Sequence, residues 1–221
     1  MGLFRADPSE RLPTLVGERV ALRGPDRTDF EGWRALRTAS RAFLEPWEPL
    51  WPSDDLTPSA FRRRLARWSD EVNDGTTLPF FVFARDGGAL LGGVTLSQVR
   101  RGVTQTGTVG YWMGEPHAGK GFMTEAVGVL ARHAFGPFGL HRLEAACLPD
   151  NSRSIRLLEK VGFAREGLAR AYLSIAGDWR DHLLWGLLCA DPLFPERARE
   201  GDRLDPVGST ARPLVEGSLA R

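Results

Sequence analysis

The chain lacks the features that define several large classes of protein. It has two cysteines in 221 residues, too few for a disulfide framework. Both lie in apolar, strand-like surroundings, so we expect Cys147 and Cys189 to be reduced core residues. No apolar run approaches the roughly 20 residues of a membrane span, and the N-terminus lacks the apolar segment of a signal peptide. These absences predict a cytoplasmic protein with no membrane partner.

An excess of charge of one sign is also missing. With 29 basic and 28 acidic side chains the net charge is +1, which gives no global attraction to nucleic acid or to an anionic membrane. The triplet at residues 62–64 is all arginine, but it lies on the polar face of a predicted amphipathic helix. We therefore interpret it as a solvated face and expect no specific nucleic-acid partner.

Hydrophobic periodicity and turn residues predict one mixed α/β domain over residues 17–190, between a flexible leader at 1–16 and a mobile tail at 191–221. The predicted strands cover residues 18–23, 78–85, 89–98, 106–113, 142–148, 169–175 and 179–189. The predicted helices cover residues 28–40, 57–72, 121–135 and 151–161. The resulting order is β-αα-βββ-α-β-α-ββ.

The most informative stretch is the turn that joins the strand at 106–113 to the next helix. Gly119 and Gly121, one residue apart, let the backbone aim its N–H groups at one point, and the helix adds the positive end of its dipole. Such a turn suits a pyrophosphate. It fits neither GxGxxG nor a P-loop, because Thr124 replaces the third glycine and Lys120 lies inside the turn. Taken alone, the glycines are equally compatible with a purely structural turn.

A second motif follows the strand at residues 142–148. Asn151 or Ser152 is a natural N-cap, and Gly162 before an apolar Phe163 is typical of a helix end. Both motifs, in this order and at this separation, resemble the GNAT acetyl-CoA-dependent N-acyltransferases. The resemblance implies the GNAT fold, a mixed central sheet whose central strands splay apart.

The resemblance narrows to the RimJ/RimL-type ribosomal-protein N-terminal (alanine) acetyltransferases, closest to the RimJ branch. The segments that carry it are residues 43–49, 99–102, 111–112 and 172–182, and the likeness covers roughly residues 18–188. It implies direct transfer of acetyl from acetyl-CoA, without a metal, to the N-terminal α-amine of a ribosomal protein. The implied partners are a protein N-terminus and the ribosome, and the chain is expected to be a monomer or homodimer.

The resemblance also implies which residues hold acetyl-CoA. Backbone N–H groups would face the pyrophosphate from Gly119, Lys120, Gly121, Phe122, Met123 and Thr124. The family's usual first residue, Gln or Arg, is Ala118 here, and its usual Gly or Ala is Met123. The main chain of Tyr111, Trp112 and Met113 would pair with the pantetheine arm; core packing is the alternative for the two aromatic residues. Asn151 would hydrogen-bond to the pantetheine or acetyl region, act as a plain N-cap, or do both.

The catalytic assignments come from the same source. RimI-like relatives carry a Tyr acid and a Glu base at the positions held here by Leu158 and Ala146. The resemblance therefore leaves Ser154, next to Asn151, as the donor to the departing thiolate, or alternatively as an exposed serine of the first helical turn. A missing strong base favours an α-amine, with a pKa of about 7.7–8.0, over a lysine at about 10.4, because more of it is neutral at pH 7.4.

Two segments are expected to border the acceptor groove, the Pro- and Trp-rich residues 43–51 and the last hairpin at 172–182. They supply the candidate substrate-binding residues Trp47, Glu48, Tyr172 and Asp181. Glu48 and Asp181 are the carboxylates best placed to receive an amine, and Glu48 could accept its proton directly or through water; otherwise Glu48 caps a loop. A small-molecule N-acetyltransferase for an antibiotic, polyamine or amino acid, and a catalytically weak acyl-CoA-binding or ribosome-associated factor, remain alternatives.

Overall fold

The computed structural model describes residues 7–194, in which one eight-stranded sheet has the order β1-β2-β3-β4-β5-β6-β8-β7. The strands are β1 (Leu15–Val16), β2 (Val20–Arg23), β3 (Leu78–Ala84), β4 (Leu90–Arg100), β5 (Thr106–Met113), β6 (Arg142–Cys147), β7 (Ala164–Ile175) and β8 (Asp178–Leu188). The helices are α1 (Phe30–Ala39), α2 (Arg41–Leu44), α3 (Pro58–Asn73), α4 (Phe122–Phe135) and α5 (Ser152–Val161). The predicted mixed α/β order is confirmed, with β1 and α2 as additions.

The domain takes in ten residues that the sequence assigns to the flexible leader. A 3-10 helix, Pro8–Glu10, buries Pro8, and β1 pairs antiparallel with β2, Leu15 opposite Leu22. Two strand residues are too few for a readable alternation, which is why the pattern misses β1. At the other end, residues 191–194 of the predicted tail also contact the domain, since the Phe194 N–H donates to the Val161 carbonyl at 3.0 Å. Residues 1–6 and 195–221 lie outside the described part of the chain.

The sheet has a separate apolar core on each face, because side chains alternate along its strands. In β3, Phe80 and Val82 belong to the larger core beneath α4 and α5, whereas Phe81 belongs to a smaller core with Trp33 of α1 and Phe61 of α3. We refer to these as the α4/α5 face and the α1/α3 face. The two groups of helices are thus on opposite sides of the sheet.

The centre of the sheet opens between β5 and β6. These parallel strands pair over three residues only, from Thr106 with Arg142 to Thr108 with Glu144. Beyond that point β5 stays paired with β4 as far as Met113, and β6 stays paired with β8 as far as Cys147. The two strands therefore diverge, and residues 109–113 of β5 have no strand on the side that faces β6.

The cysteines differ from each other in environment. Cys147 ends β6 and is buried, as expected, but Cys189 lies just after β8 and is exposed. The prediction of a core position was wrong for Cys189, because the apolar strand that precedes it ends one residue earlier. Within residues 7–194 both thiols are free.

Candidate active site

The turn between β5 and α4 has the backbone conformation that its glycines predict. Gly119 and Gly121 have φ angles of +76° and +81°, in the left-handed region that glycine adopts at little cost. Gly121 is the N-cap of α4 and has no side chain to cap it, so the first N–H groups of the helix remain free for an anion. A Cβ on Gly119 would meet no atom within 4 Å, so this side of the turn is open.

Side chains contribute little to the open face of this turn. Met123 is 5% exposed and belongs to the α4/α5 core, while Phe122 and Thr124 are half-buried. The exposed Lys120 donates from its ammonium to the Pro116 carbonyl at 2.9 Å. The donors available for a pyrophosphate are therefore main-chain N–H groups, which explains why departures from the family pattern at 118 and 123 are compatible with the site.

Arg19, between β1 and β2, adds a cation to the turn that no local pattern predicts. Its Nη1 donates to the Lys120 carbonyl at 3.1 Å and its Nε to the Glu125 carboxylate at 3.0 Å. The guanidinium also lies 5.0 Å from the centroid of the Phe122 ring. Because the partners are separated by about a hundred residues, only the folded chain reveals the contact.

Next to the turn, the unpaired edge of β5 offers main-chain donors and acceptors to a linear ligand. The expected pantetheine-binding residues Tyr111, Trp112 and Met113 all lie on this edge. Their side chains do something else: Tyr111 and Met113 pack on the α4/α5 core, and Trp112 packs on the α1/α3 core. Each of these residues can therefore pack its side chain in a core and still offer its main-chain N–H and carbonyl groups to a ligand.

Three polar residues meet at the start of α5. The Asn151 Oδ1 accepts a hydrogen bond from the Ser154 N–H at 3.1 Å, so Asn151 is an N-cap. The half-buried Ser154 side chain lies beside the Tyr111 hydroxyl. Burial raises the pKa of Tyr111, and this outweighs the opposite effect of the neighbouring Ser154, so the phenol stays protonated. Sequence reasoning found Ser154 but assigned Tyr111 only a main-chain role.

On the α1/α3 face, Glu48 is engaged by three donors. Arg37 of α1 donates to its two oxygens at 2.7 Å each, and the Trp51 indole N–H donates to Oε2 at 2.8 Å. The Arg37 guanidinium also lies 4.0 Å from the Trp51 ring centroid. The predicted use of Glu48 as an amine or proton acceptor does not fit this geometry, because its oxygens are already paired. Its position within the groove does fit.

A cavity of about 190 Å³ opens beside this ion pair on the α1/α3 face. Its walls are mainly aromatic and guanidinium groups, contributed by Trp33, Trp68, Phe81, Trp112, Arg37 and Arg64. The Nε of Arg37 is buried and has no hydrogen-bond partner within residues 7–194. Sequence reasoning missed Arg37 and Arg64, because charged residues at helical spacing ordinarily face solvent.

The two segments predicted to border the acceptor groove do meet. The Glu48 carbonyl accepts a hydrogen bond from the Ala176 N–H, in the β7–β8 turn, at 2.9 Å. Trp47 is half-buried in a 3-10 helix, and Tyr172 is 47% exposed with its ring edge-on to His182. Asp181 is placed differently: its carboxylate accepts from the Ala171 N–H at 2.8 Å, where the β7–β8 register shifts. Asp181 therefore stabilises that irregularity, and its predicted role in substrate binding stays a prediction.

The family follows from a comparison with known proteins. Residues 19–164 match the family model described as the acetyltransferase (GNAT) domain. The chain is a GNAT acetyltransferase. The GNAT assignment confirms the predicted fold and the predicted enzyme class, an acetyl-CoA-dependent N-acetyltransferase.

Relatives of this GNAT enzyme include ribosomal-protein acetyltransferases. It is 36% identical over 177 residues to the probable N-acetyltransferase YjcK of Bacillus subtilis. The aligned region covers 80% of this chain and 98% of YjcK. It is 35% identical over 165 residues to the [ribosomal protein uS5]-alanine N-acetyltransferase of Escherichia coli, with coverage of 74% and 85%. The structure of Mycobacterium smegmatis RimJ in complex with CoA-disulfide superposes with a TM-score of 0.73 at 33% identity, covering 76% of this chain and 81% of that one.

The residues present fit acetyl-CoA as the cosubstrate of this GNAT enzyme. The open glycine turn suits its pyrophosphate, and the free edge of β5 suits its pantetheine amides. Acetyl-CoA supplies the acetyl group as a thioester. Within residues 7–194, no three His, Cys, Asp or Glu side chains are grouped so that they could hold a metal ion. In the same range, no helix combines the length and the apolar character needed to cross a bilayer.

Proposed function

We propose that this enzyme acetylates the N-terminal α-amine of a protein, and that a ribosomal protein is its natural acceptor. The observation that carries the proposal is the groove on the α1/α3 face. Glu48 lines it, and the Ala176 N–H of the β7–β8 turn donates to the Glu48 carbonyl at 2.9 Å, which holds the segment that contains Glu48 against that turn. A chain end fits such a groove better than the middle of a folded chain.

The two sides of the sheet divide the reaction. The glycine turn adjoins α4 on one side, and the aromatic cavity lies beneath α1 and α3 on the other. Only the gap between β5 and β6 joins the two faces at the centre of the sheet. The acceptor amine would therefore meet the thioester carbonyl at this gap, where Ser154 can give a proton to the departing sulfur.

The charges of the cavity favour a peptide over a polyamine. Arg37 and Arg64 both line it, and the only carboxylate among the lining residues, Glu48, is already paired with Arg37. Arg64 is likewise paired with Asp55, so the cavity offers a spermidine-like polycation no unpaired carboxylate. A peptide with one α-amine carries less positive charge and presents carbonyl groups that guanidinium N–H groups can bind.

The relatives support the same acceptor class. The E. coli relative is named for acetylation of an alanine of ribosomal protein uS5, and the M. smegmatis neighbour is named RimJ. We extend this substrate class, and with it a cytoplasmic location and contact with ribosomal proteins, to the present chain. The neighbouring hydroxyls of Ser154 and Tyr111 favour an active enzyme over a catalytically weak acyl-CoA-binding factor.

The position of the acetyl group in the product tests the proposal. The purified protein is incubated with acetyl-CoA and with a peptide that begins with alanine and contains an internal lysine. We expect fragmentation mass spectrometry to find the acetyl group on the α-amine alone. Modification of the lysine instead, or acetyl-CoA turnover with free small amines but not with the peptide, would contradict it.

A further inference from the structure

His182 is a buried residue without a role so far. It lies on β8, is 3% exposed, and its Nδ1 is 2.9 Å from the Arg180 carbonyl oxygen. Because a carbonyl can only accept, Nδ1 carries a proton, which in the neutral imidazole leaves the lone pair on Nε2. Within residues 7–194, the buried side-chain atoms without a partner are Arg37 Nε, Thr106 Oγ1 and Trp185 Nε1. Within the same residues no group bonds to Nε2. Because Nε2 is not among these fully buried atoms, it keeps some contact with solvent.

The sheet register places His182 on the acceptor side of the sheet. The last β6–β8 pair joins Cys147 to Leu183, and both side chains lie in the α4/α5 core. Neighbouring residues of a strand point to opposite faces, so Ala146 and His182 share the other face. That is the α1/α3 face, where the cavity and the acceptor groove lie.

The same register places His182 at the central gap. Ala146 lies beyond Glu144, the last β6 residue that pairs with β5. His182 lies one residue beyond the last β6–β8 pair, which makes it the diagonal neighbour of Ala146. A ring side chain is long enough to span the distance between diagonal neighbours. Ala146 carries only a methyl group, so no large side chain of β6 fills this face of the sheet beside His182.

The imidazole is held in a fixed orientation. The Arg180 carbonyl fixes Nδ1, and the Tyr172 ring meets the imidazole nearly edge-on, with 5.8 Å between centroids. The Arg180 guanidinium in turn pairs with Asp150, before α5, at 3.4 Å. The titratable and charged groups beside His182 are thus Tyr172 of β7 and the Arg180–Asp150 pair, none of which is bonded to Nε2.

We propose that His182 Nε2 is the general base that takes the proton from the acceptor amine. The amine nitrogen uses its lone pair to form the C–N bond to the thioester carbonyl carbon, the C–S bond breaks, and sulfur leaves with its electron pair. The proton lost by nitrogen goes to Nε2, and sulfur receives one from Ser154. Each side chain then exchanges one proton with solvent. The proposal rests on acetyl transfer to an amine and does not depend on which amine is used.

Asparagine at position 182 separates the catalytic role from a structural one. Its amide nitrogen occupies the place of Nδ1 and can still donate to the Arg180 carbonyl, but nothing replaces Nε2. For His182→Asn we expect kcat to fall by about a hundredfold or more, within the range for general-base catalysis. The dissociation constant for acetyl-CoA should stay within about twofold. His141→Asn, an exposed histidine before the other end of β6, is the matched control and should retain full activity.

The measurement uses whichever acceptor the wild type turns over fastest, so that failure of the peptide assignment and failure of this proposal remain distinguishable. If His182→Asn does not fold, His182→Gln replaces it, and His182→Ala is assayed with added imidazole, which should restore kcat in part. A folded variant with wild-type kcat would overturn the proposal. So would a defect confined to KM, because that would show positioning rather than proton transfer.

Discussion

Ser154 on α5 lies beside the Tyr111 hydroxyl of β5, and single substitutions can test the two side chains separately. Ser154→Ala should lower kcat by roughly ten- to a hundredfold, since a thiolate is a tolerable leaving group even without a proton donor. Tyr111→Phe removes the hydroxyl beside Ser154 and leaves the serine in place, so its effect should be smaller.

Ser152→Ala is the matched control for this pair. Ser152 is an exposed serine in the same helical turn, so its removal should leave kcat unchanged. The comparison uses single-turnover rates, in which acetyl transfer itself is measured. Equal rates for Ser154→Ala and wild type would remove Ser154 from the mechanism.

Glu48 and Arg37 form the other pair that single substitutions can test. Glu48→Gln leaves a guanidinium that is 9% exposed facing a neutral amide, and should destabilise the protein by about 3 kcal/mol. Because the Arg37–Glu48 pair lines the cavity on the acceptor face, we expect a higher KM for an Ala- or Ser-starting peptide and unchanged acetyl-CoA affinity.

Glu45→Gln gives the comparison for Glu48. Glu45 lies in the same segment and pairs with Arg41, but both side chains are about half exposed, so its loss should change stability by less than about 1 kcal/mol. Chemical denaturation measures both variants. An equal, small effect of both substitutions would show that the Arg37–Glu48 pair does not hold the groove.

At the residue scale, the sequence identifies residues whose role is local. Asn151 as an N-cap and the open Gly119–Gly121 turn follow from patterns within a few residues. The ion pair of Glu48 with Arg37 and the bond of Arg19 to Lys120 do not follow from such patterns, because each joins two elements that meet only when the chain folds. For this reason the sequence favours Glu48 as a substrate ligand, although in the folded chain its carboxylate pairs with Arg37.

At the scale of elements, the turn that leads into α4 is the feature most open to test. Gly119→Ala places a methyl group in the open space proposed for the pyrophosphate, and should weaken acetyl-CoA binding by roughly tenfold, or about 1.4 kcal/mol. It also strains a backbone at φ +76°. Gly121 is a poorer choice, because a Cβ there would lie 3.3 Å from the Arg19 guanidinium.

Gly139→Ala controls for that strain. Gly139 has φ +71°, also has open space around its Cβ position, and lies in the turn between α4 and β6. Both variants should lose similar stability, on the order of 1–2 kcal/mol. Calorimetry then decides: if the two variants bind acetyl-CoA equally well, the pyrophosphate does not lie over Gly119.

Most elements are predictable because their patterns are long or have clear ends. The helix α5 begins at an Asn cap and stops at Gly162 with φ +114°, and the sequence places both ends correctly. β1 and the irregularity of β7 at Ala171 are not predictable, because a two-residue strand has no period and a register shift depends on the partner strand. The gap between β5 and β6 is implied by the family resemblance alone, because the sequence of one strand does not determine how far it pairs with the other.

At the scale of the whole molecule, the sheet separates a cofactor side from an acceptor side, and the gap between β5 and β6 joins them. The sequence predicts both sets of residues, and the family resemblance alone implies that the acceptor groove lies opposite the cofactor. This arrangement supports direct transfer, because an amine on one face and a thioester on the other can meet only at the gap. In the proposed reaction, the aromatic and guanidinium walls of the cavity would determine which amines enter.

The most direct test of the account is a comparison of kcat/KM for three kinds of acceptor: peptides that begin with alanine or serine, spermidine, and aminoglycosides. We expect kcat/KM for the peptides to exceed that for either small amine by at least tenfold, a difference of about 1.4 kcal/mol in transition-state binding. If a small amine wins by the same factor, the acceptor groove has been assigned to the wrong substrate class, and the enzyme is a small-molecule N-acetyltransferase.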